Sequence, residues 1–249
     1  MKLFGLIGYP LSHSFSKKYF TEKFQKEGIN DAAYELFELK QIEELPELLE
    51  SHSNLHGLNV TIPYKEKVKK YLDDIDAAAE EIGAVNVIKI NNGKLKGYNS
   101  DYFGFKNSLI SFLDNKVENK KALILGTGGA AKAVKVACKN LAIEFLSVSR
   151  KEIDDSAYIT YQDIDKSLLE EYTLIVNTTP LGMSPKIDTY PDLPYSKLTS
   201  QHYLYDLVYN PDVTAFMQKG QENGAKVING LDMLIMQAEE AWRIWNNHQ

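Results

Sequence analysis

The stretch Ala122-Leu123-Ile124-Leu125-Gly126-Thr127-Gly128-Gly129-Ala130-Ala131 decides how this 249-residue chain is read. Its first four residues form a short apolar run, the mark of a buried strand, and residues 130–139 read as a helix. Between them lies G-x-G-x-x-A. A nucleotide pyrophosphate needs this junction. Gly126 makes the turn, Gly128 lets a phosphate approach the backbone, and Ala131 permits close packing of helix on sheet. The helix N-terminus then offers unpaired N–H groups to the anion. Glycine spacing alone is a weak signal, and the strand before and the helix after make it specific.

The next strand, 145–149, runs into Ser149-Arg150-Lys151. NAD-specific sites place an acid here to accept from the adenine ribose 2′-hydroxyl, whereas this chain has no carboxylate until Glu152. Arg150 and Arg243 are the only arginines among 28 basic residues. A planar guanidinium grips a phosphate bidentately, so Arg150 points to a 2′-phosphate and to NADP(H) as the cofactor.

Further out, β-like and α-like segments alternate along the chain. Residues 3–8, 33–39, 55–61 and 84–90 read as strands, and Asn92-Gly93 makes a tight hairpin into 95–99. A helix carries Phe15, Tyr19, Phe20 and Phe24 and stops at Gly28; 42–50 and 76–82 are also helical. Pro63 suits the first turn of a helix headed by Lys65, and a cation there opposes the helix dipole. Asp101 stands before a helix over 103–112, where an N-cap role is the bland alternative. Beyond the glycine turn, 174–177, 203–208 and 226–228 are strands, 211–223 is a helix, and 231–245 is a last amphipathic helix. Such alternation predicts parallel sheets with helices on both faces. We expect two α/β domains. The two β/α runs meet near residues 101–120.

Composition narrows the class. With 44% hydrophobic and 25% charged residues the chain is globular, and a net charge of −6 argues against a broad nucleic-acid surface. No apolar run is long enough to span a bilayer, and the N-terminal apolar stretch is too short for a signal peptide. A single cysteine, Cys138, suits a reducing cytoplasm and a small buried role. His52 and His56 are four apart but straddle a loop, so we expect solvated surface and no metal site.

Several connections after strands hold polar residues that could meet a small ligand. Ser14 and Ser16 lie in Gly8-Tyr9-Pro10-Leu11-Ser12-His13-Ser14-Phe15-Ser16, Thr61 and Lys65 in Asn59-Val60-Thr61-Ile62-Pro63-Tyr64-Lys65, Asn86 in Gly83-Ala84-Val85-Asn86, and Asp101 in Asn99-Ser100-Asp101. A serine there can simply cap a helix, and a buried amide can simply satisfy a backbone group. As an ordered set, however, these motifs resemble the shikimate dehydrogenase family. So do Gly126–Ala130, Asn177-Thr178-Thr179-Pro180-Leu181-Gly182-Met183, Asp206-Leu207-Val208-Tyr209-Asn210-Pro211 and Gly230-Leu231-Asp232-Met233-Leu234 with Gln237.

The resemblance implies reversible reduction of 3-dehydroshikimate to shikimate with NADPH, in aromatic amino-acid biosynthesis. It divides such a chain into 1–101, which binds substrate and is rejoined by 229–249, and 102–228, a Rossmann-type nucleotide-binding domain, with the two chain crossings expected to act as a hinge. It assigns Ser14 and Ser16 to the substrate carboxylate, and Thr61, Lys65, Asn86, Asp101 and Gln237 to the ring hydroxyls, with Tyr209 lining the site. Lys65 would be the principal acid/base and Asp101 its orienting partner. Gly126, Thr127, Gly128, Gly129, Ala130, Ser149, Arg150 and Lys151 would meet the cofactor phosphates. Thr178, Pro180, Gly182, Met183, Val208 and Gly230 would wall its nicotinamide side. A monomer or homodimer is expected. Lys17, Val87, Ser100, Tyr102 and Ser149 depart from the family pattern, and 153–172 is shortened. The rivals are a quinate/shikimate dehydrogenase, a related dehydrogenase of another small metabolite, and a non-catalytic NADP sensor; the last should have lost Lys65 or Asp101.

Overall fold

The computed structural model describes residues 1–11 and 14–247, in two compact units. The first comprises Met1–Ser100 and Ala238–Gln249, and the second Asp101–Gln237.

In the first unit, β1 (Lys2–Gly8), α1 (Phe15–Glu27), β2 (Ala32–Glu38), α2 (Leu45–Ser51) and β3 (Leu55–Val60) form a parallel β/α series. β4 (Asp74–Ile75), α3 (Ala77–Ile82), β5 (Val87–Asn91) and β6 (Lys94–Tyr98) follow, and the sheet order is β2-β1-β3-β5-β6-β4. The hairpin expected at Asn92-Gly93 joins β5 to β6; both residues have positive φ (50° and 76°), as a primed turn requires. This sheet is therefore mixed, because β5 runs antiparallel to both β3 and β6. Alternation argued for parallel sheets and the Asn92-Gly93 turn for one antiparallel hairpin; the structure holds that hairpin and adds a second antiparallel pair, β3 with β5.

Both faces of this sheet are covered. Ile7, Leu58 and Ile88 pack with Leu45 and Val68 on one side, and Phe4, Leu6 and Val87 pack with Phe20, Phe24 and Trp245 on the other. Trp245 stacks on Phe4 with ring centroids 4.9 Å apart and donates its indole N–H to the Ile88 carbonyl at 3.0 Å. Gly57 makes room for it, since a Cβ at that position would run into the indole.

The second unit holds α4 (Ser100–Phe112), β7 (Lys121–Leu125), α5 (Gly129–Asn140), β8 (Glu144–Ser149), β9 (Tyr158–Thr160), α6 (Lys166–Glu171), β10 (Leu174–Asn177), β11 (Tyr203–Asp206), α7 (Ala215–Glu222) and β12 (Lys226–Ile228). Its sheet is parallel throughout in the order β12-β11-β10-β7-β8-β9, so the order reverses between β7 and β10. Leu123, Leu125, Ile175 and Leu204 share one core with Phe216 and Leu169. The last helix, α8 (Leu231–Asn246), belongs to the second unit as far as Gln237 and to the first beyond it. Gly104 of α4 lies close under Gln237 and the Met233 carbonyl of α8. No helix among the described residues is long and apolar enough to cross a membrane.

Gly57→Ala should destabilise the first unit by about 1–3 kcal/mol, because the added methyl overpacks a rigid aromatic contact. Urea unfolding would report it as a lower midpoint, and an unchanged midpoint would mean that Trp245 does not depend on that gap.

Candidate active site

In the first unit the polar residues of interest gather along one edge of the sheet. β1, β3 and β6 end at that edge and β5 begins there, since Ile7 pairs with Val60 and Asn59, Val87 and Tyr98 lie in register. The strand order also reverses here, β1 lying between β2 and β3, and open α/β sheets bind ligands outside such a switch point.

Ser14 occupies the N-cap position of α1 yet makes no capping hydrogen bond, and its Oγ is buried with no partner among the described residues. Ser16 follows in the first turn of α1, and burial pushes the pKa of the nearby Tyr34 phenol up. Tyr34 donates to Asn59 Oδ1 at 2.8 Å, and Asn59 Nδ2 donates to the Asn86 carbonyl at 3.3 Å. Asn86 in turn accepts the Ser100 backbone N–H on Oδ1 at 2.6 Å and donates through Nδ2 to Ser100 Oγ at 3.1 Å. Thr61 is half-buried over Gly8.

Three local expectations are corrected. Lys65 opens no helix: residues 61–66 form turns, with Tyr64 N–H donating to the Thr61 carbonyl at 2.9 Å, and the 3-10 segment begins at Lys67. Tyr64 explains this, being buried with its hydroxyl donated to the Leu39 carbonyl at 2.6 Å, a tether that a helix from Pro63 would break. The argument from the helix dipole therefore does not apply to Lys65. Its carbonyl instead accepts from Val85 N–H at 2.7 Å, so its backbone is pinned beside the start of β5. Asn86 precedes β5 rather than lying inside it. Asp101 lies within the first turn of α4 and not ahead of the helix, because Asn86 satisfies the N–H of Ser100 and lets the helix start there.

In the second unit the glycine turn and its neighbours flank the β7/β10 switch point. Gly126 has a φ of 105°, a conformation that suits glycine, and a Cβ there would lie 2.9 Å from Thr178 Oγ1. Thr178 donates both N–H (3.0 Å) and Oγ1 (2.7 Å) to the Leu125 carbonyl, joining the ends of β7 and β10. Gly128 caps α5 without any side chain, the first turn carries no acid, and Cβ atoms at Gly128 and Gly129 would meet open space. Thr127 and Ala130 are exposed beside them. Arg150 is exposed just beyond β8, and among the described residues no carboxylate pairs with it. Ser149 Oγ accepts from Lys151 N–H at 3.2 Å. An uncapped, acid-free helix start with a free guanidinium nearby fits a dinucleotide that carries an extra phosphate.

The remaining second-unit candidates cluster in the connections after β10 and β11. Met183 is exposed and its N–H closes a turn onto the Pro180 carbonyl at 3.2 Å, while Gly182 N–H donates to Thr189 Oγ1 at 2.9 Å. Val208 is buried, and its carbonyl accepts from Gly230 N–H at 3.2 Å. Tyr209 is largely exposed, and Gln237 is buried in α8 with Nε2 donated to the Leu234 carbonyl at 2.9 Å. The helix expected from Pro211 begins at Ala215, where Thr214 Oγ1 caps it.

The groups that hold these loops had no individual role assigned from sequence, although Asn59, Asn177 and Asp206 stand within the quoted motifs. Tyr34, Asn59, Asn177 and Asp206 are buried polar residues among apolar neighbours, and that pattern was the available signal. Cys138 is buried as expected, and burial pushes its thiol up to about 12. His52 is half-buried rather than solvated, its ring edge-on to Phe37. His13 and His248 lie outside the described residues.

A Rossmann-type sheet with an open glycine turn, followed by a guanidinium and joined in one chain to an α/β unit with a polar sheet edge, defines a dinucleotide-dependent dehydrogenase. Residues 6–88 match the family model described as the shikimate dehydrogenase substrate binding domain. A shikimate dehydrogenase (NADP(+)) of Carboxydothermus hydrogenoformans is 40% identical over 98% of this chain and 91% of its own length. The solved shikimate 5-dehydrogenase of Thermus thermophilus, in complex with NADP(H) and shikimate, is 29% identical, covers 99% of this chain and 94% of its own, and superposes with a TM-score of 0.82. Quinate dehydrogenase of Corynebacterium glutamicum, in complex with NAD, is 25% identical over 98% of this chain and 93% of its own, with a TM-score of 0.86. The chain belongs to the shikimate dehydrogenase family.

One carboxylate has a clear pH signature. Burial pushes Asp206 up from 3.8 to about 6, partly offset by hydrogen bonds from Thr214, Val208 and Asn177, and Tyr195 is the titratable side chain facing it. Between those two values the folded chain keeps a proton that the unfolded chain has released, so stability falls as pH rises from about 4 to about 6 and the loss persists above. Asp206→Asn should remove this slope and recover up to roughly 3 kcal/mol at pH 7, measured by chemical unfolding across that range.

Proposed function

We propose that this protein catalyses the reversible reduction of 3-dehydroshikimate to shikimate with NADP(H), in the cytoplasm, the first unit binding the small acid and the second the dinucleotide. The observation that carries the reading is the Ser14 hydroxyl, buried with no partner among the described residues at the head of α1 and two residues before Ser16. Two hydroxyls and a helix N-terminus make a receptor for one carboxylate, and a buried donor left unmatched is costly. Full-length kinship at 40% identity supports the same assignment.

On this reading Ser14 and Ser16 bind the substrate carboxylate, and Thr61, Asn86 and Gln237 receive the ring hydroxyls, with Tyr209 alongside. NADPH supplies the hydride when bound. Reduction of the ketone places negative charge on its oxygen, which must gain a proton as the charge develops. Lys65 Nζ donates that proton, and in the oxidation direction takes it from the hydroxyl; its cationic form also stabilises the charge before transfer. Asp101 orients the Lys65 ammonium. The 126–130 turn holds the pyrophosphate, and Arg150, flanked by Ser149 and Lys151, holds the 2′-phosphate. Thr178, Pro180, Gly182, Met183, Val208 and Gly230 wall the nicotinamide side.

Steady-state oxidation of shikimate with NADP+, with NAD+ and quinate as controls, tests the whole reading. The expected result is turnover of shikimate with NADP+ well above that of quinate with NAD+, and the reverse order would overturn it. Lys65→Ala should lower kcat by about 10²–10⁴-fold with a smaller change in the KM for shikimate. Arg150→Ala should weaken NADP+ selectively and shrink its advantage over NAD+; unchanged discrimination would remove Arg150 from the phosphate site.

A further inference from the structure

Asp206 is a fully buried carboxylate that the proposed chemistry does not use. It ends β11, beside the end of β10, and collects three donors from three separate segments. Asn177 Nδ2 reaches Oδ1 at 2.9 Å, Val208 N–H reaches the same oxygen at 3.0 Å, and Thr214 Oγ1 reaches Oδ2 at 2.6 Å.

These contacts carry orientation outward. A carboxylate oxygen only accepts, so Asn177 must turn its amide nitrogen toward Asp206. Its own oxygen then faces the loop and accepts from Thr179 N–H at 3.1 Å and from Thr179 Oγ1 at 2.7 Å. With its proton committed to Asn177, Thr179 Oγ1 accepts from Leu181 N–H at 3.3 Å. On the other side, Thr214 gives its proton to Asp206 and so accepts from Met217 N–H at 3.3 Å, capping α7. Leu207 N–H donates to the Asn177 carbonyl at 3.0 Å, locking the two strand ends together. One acceptor group thus sets the polarity of Asn177 and Thr179 in loop 177–183 and of Thr214 at the head of α7.

We propose that Asp206 is a positioning residue for NADP(H): through Asn177 and Thr179 it holds loop 177–183, and through Val208 the segment leading to Gly230, in the shape that receives the dinucleotide. This inference rests on the functional reading above. What the position requires is an acceptor at Oδ1, which aspartate and asparagine share and alanine lacks. Burial that pushes the carboxyl up to about 6 is a cost that an apolar core residue would avoid, in keeping with a group retained for what it orients.

Calorimetric titration with NADP+ of the full chain, alongside steady-state kinetics, tests this. Asp206→Ala should weaken NADP+ binding at least tenfold and raise its KM to match, with the KM for shikimate changed less than twofold. Asp206→Asn should return NADP+ affinity to within about threefold of wild type, a rescue that lost packing alone would not predict. An Asp206→Ala protein that folds by circular dichroism and binds NADP+ like wild type would overturn the proposal, as would Asp206→Asn binding as poorly as alanine. Should the alanine variant not fold, Asn177→Ala, which removes the donor to Oδ1 and the acceptor for Thr179, carries the test: weaker NADP+ binding is expected, and wild-type affinity would overturn it. Wild-type protein that binds no NADP+ at all would instead remove the functional reading, and this inference with it.

Discussion

The indole of Trp245, set against Gly57 and hydrogen-bonded to the Ile88 carbonyl, is the contact that completes the first unit. The chain leaves that unit at Ser100 and returns at Ala238, so one face of its sheet cannot close until the end of the chain arrives. Phe4, Phe20, Phe24 and Tyr34 all meet Trp242 or Trp245 within 6.4 Å, and burying such rings supplies the largest apolar gain available to that face. Around the rim, Lys23 bridges Glu239 and Glu27 at 2.8 and 2.7 Å, and the Tyr19 hydroxyl donates to Glu239. α1 is thereby fixed to α8, and α1 begins at the serine pair. Closing so long a stretch of chain costs entropy that the aromatic cluster and the contacts around its rim offset.

Each unit then uses a buried polar chain to fix its functional edge. Tyr34, Asn59, Asn86 and Ser100 form one, and Thr214, Asp206, Asn177 and Thr179 the other. Satisfied networks in a low-dielectric interior tolerate few alternative arrangements, since any displaced member leaves a buried group unpaired. Both chains sit where strand order reverses, the place where a sheet leaves space between diverging connections. The fold creates the opening, and the amides hold its rims.

Much of this was legible from local signals. The strand-turn-helix at 122–139, the Asn92-Gly93 hairpin and the helix stop at Gly28 each rest on one or two residues with narrow conformational preferences, and local physics settled them. What failed was decided at long range. Tyr64 is tied to Leu39, 25 residues away, and that tether turns the Pro63–Lys65 segment away from a helix. Asn86 receives Ser100 N–H, 14 residues away, and moves the start of α4 ahead of Asp101. β9 and α6 went unread because Tyr158–Thr160 and Lys166–Glu171 are too short to show a period. The motifs supplied the candidate reactive side chains; the buried amides and the carboxylate that brace the neighbouring loops look in sequence like ordinary polar residues.

The two arginines show how little charge this design needs. Arg243 is committed to Glu240, with Nε and Nη2 at 2.7 and 2.5 Å from its two oxygens, on a helix of the first unit. Arg150 is exposed with no carboxylate partner among the described residues, and it stands just beyond the strand after the glycine turn. A net charge of −6 gives no long-range pull on an anionic cofactor, so recognition must come from short-range geometry. On the proposed reading an uncapped helix N-terminus and one guanidinium provide it, and both act only within a few ångströms. Selectivity for a phosphorylated ribose would then rest on one side chain, with Lys151 the adjacent cation in sequence. A lysine there would supply charge without the bidentate fit, and so attraction without the same discrimination.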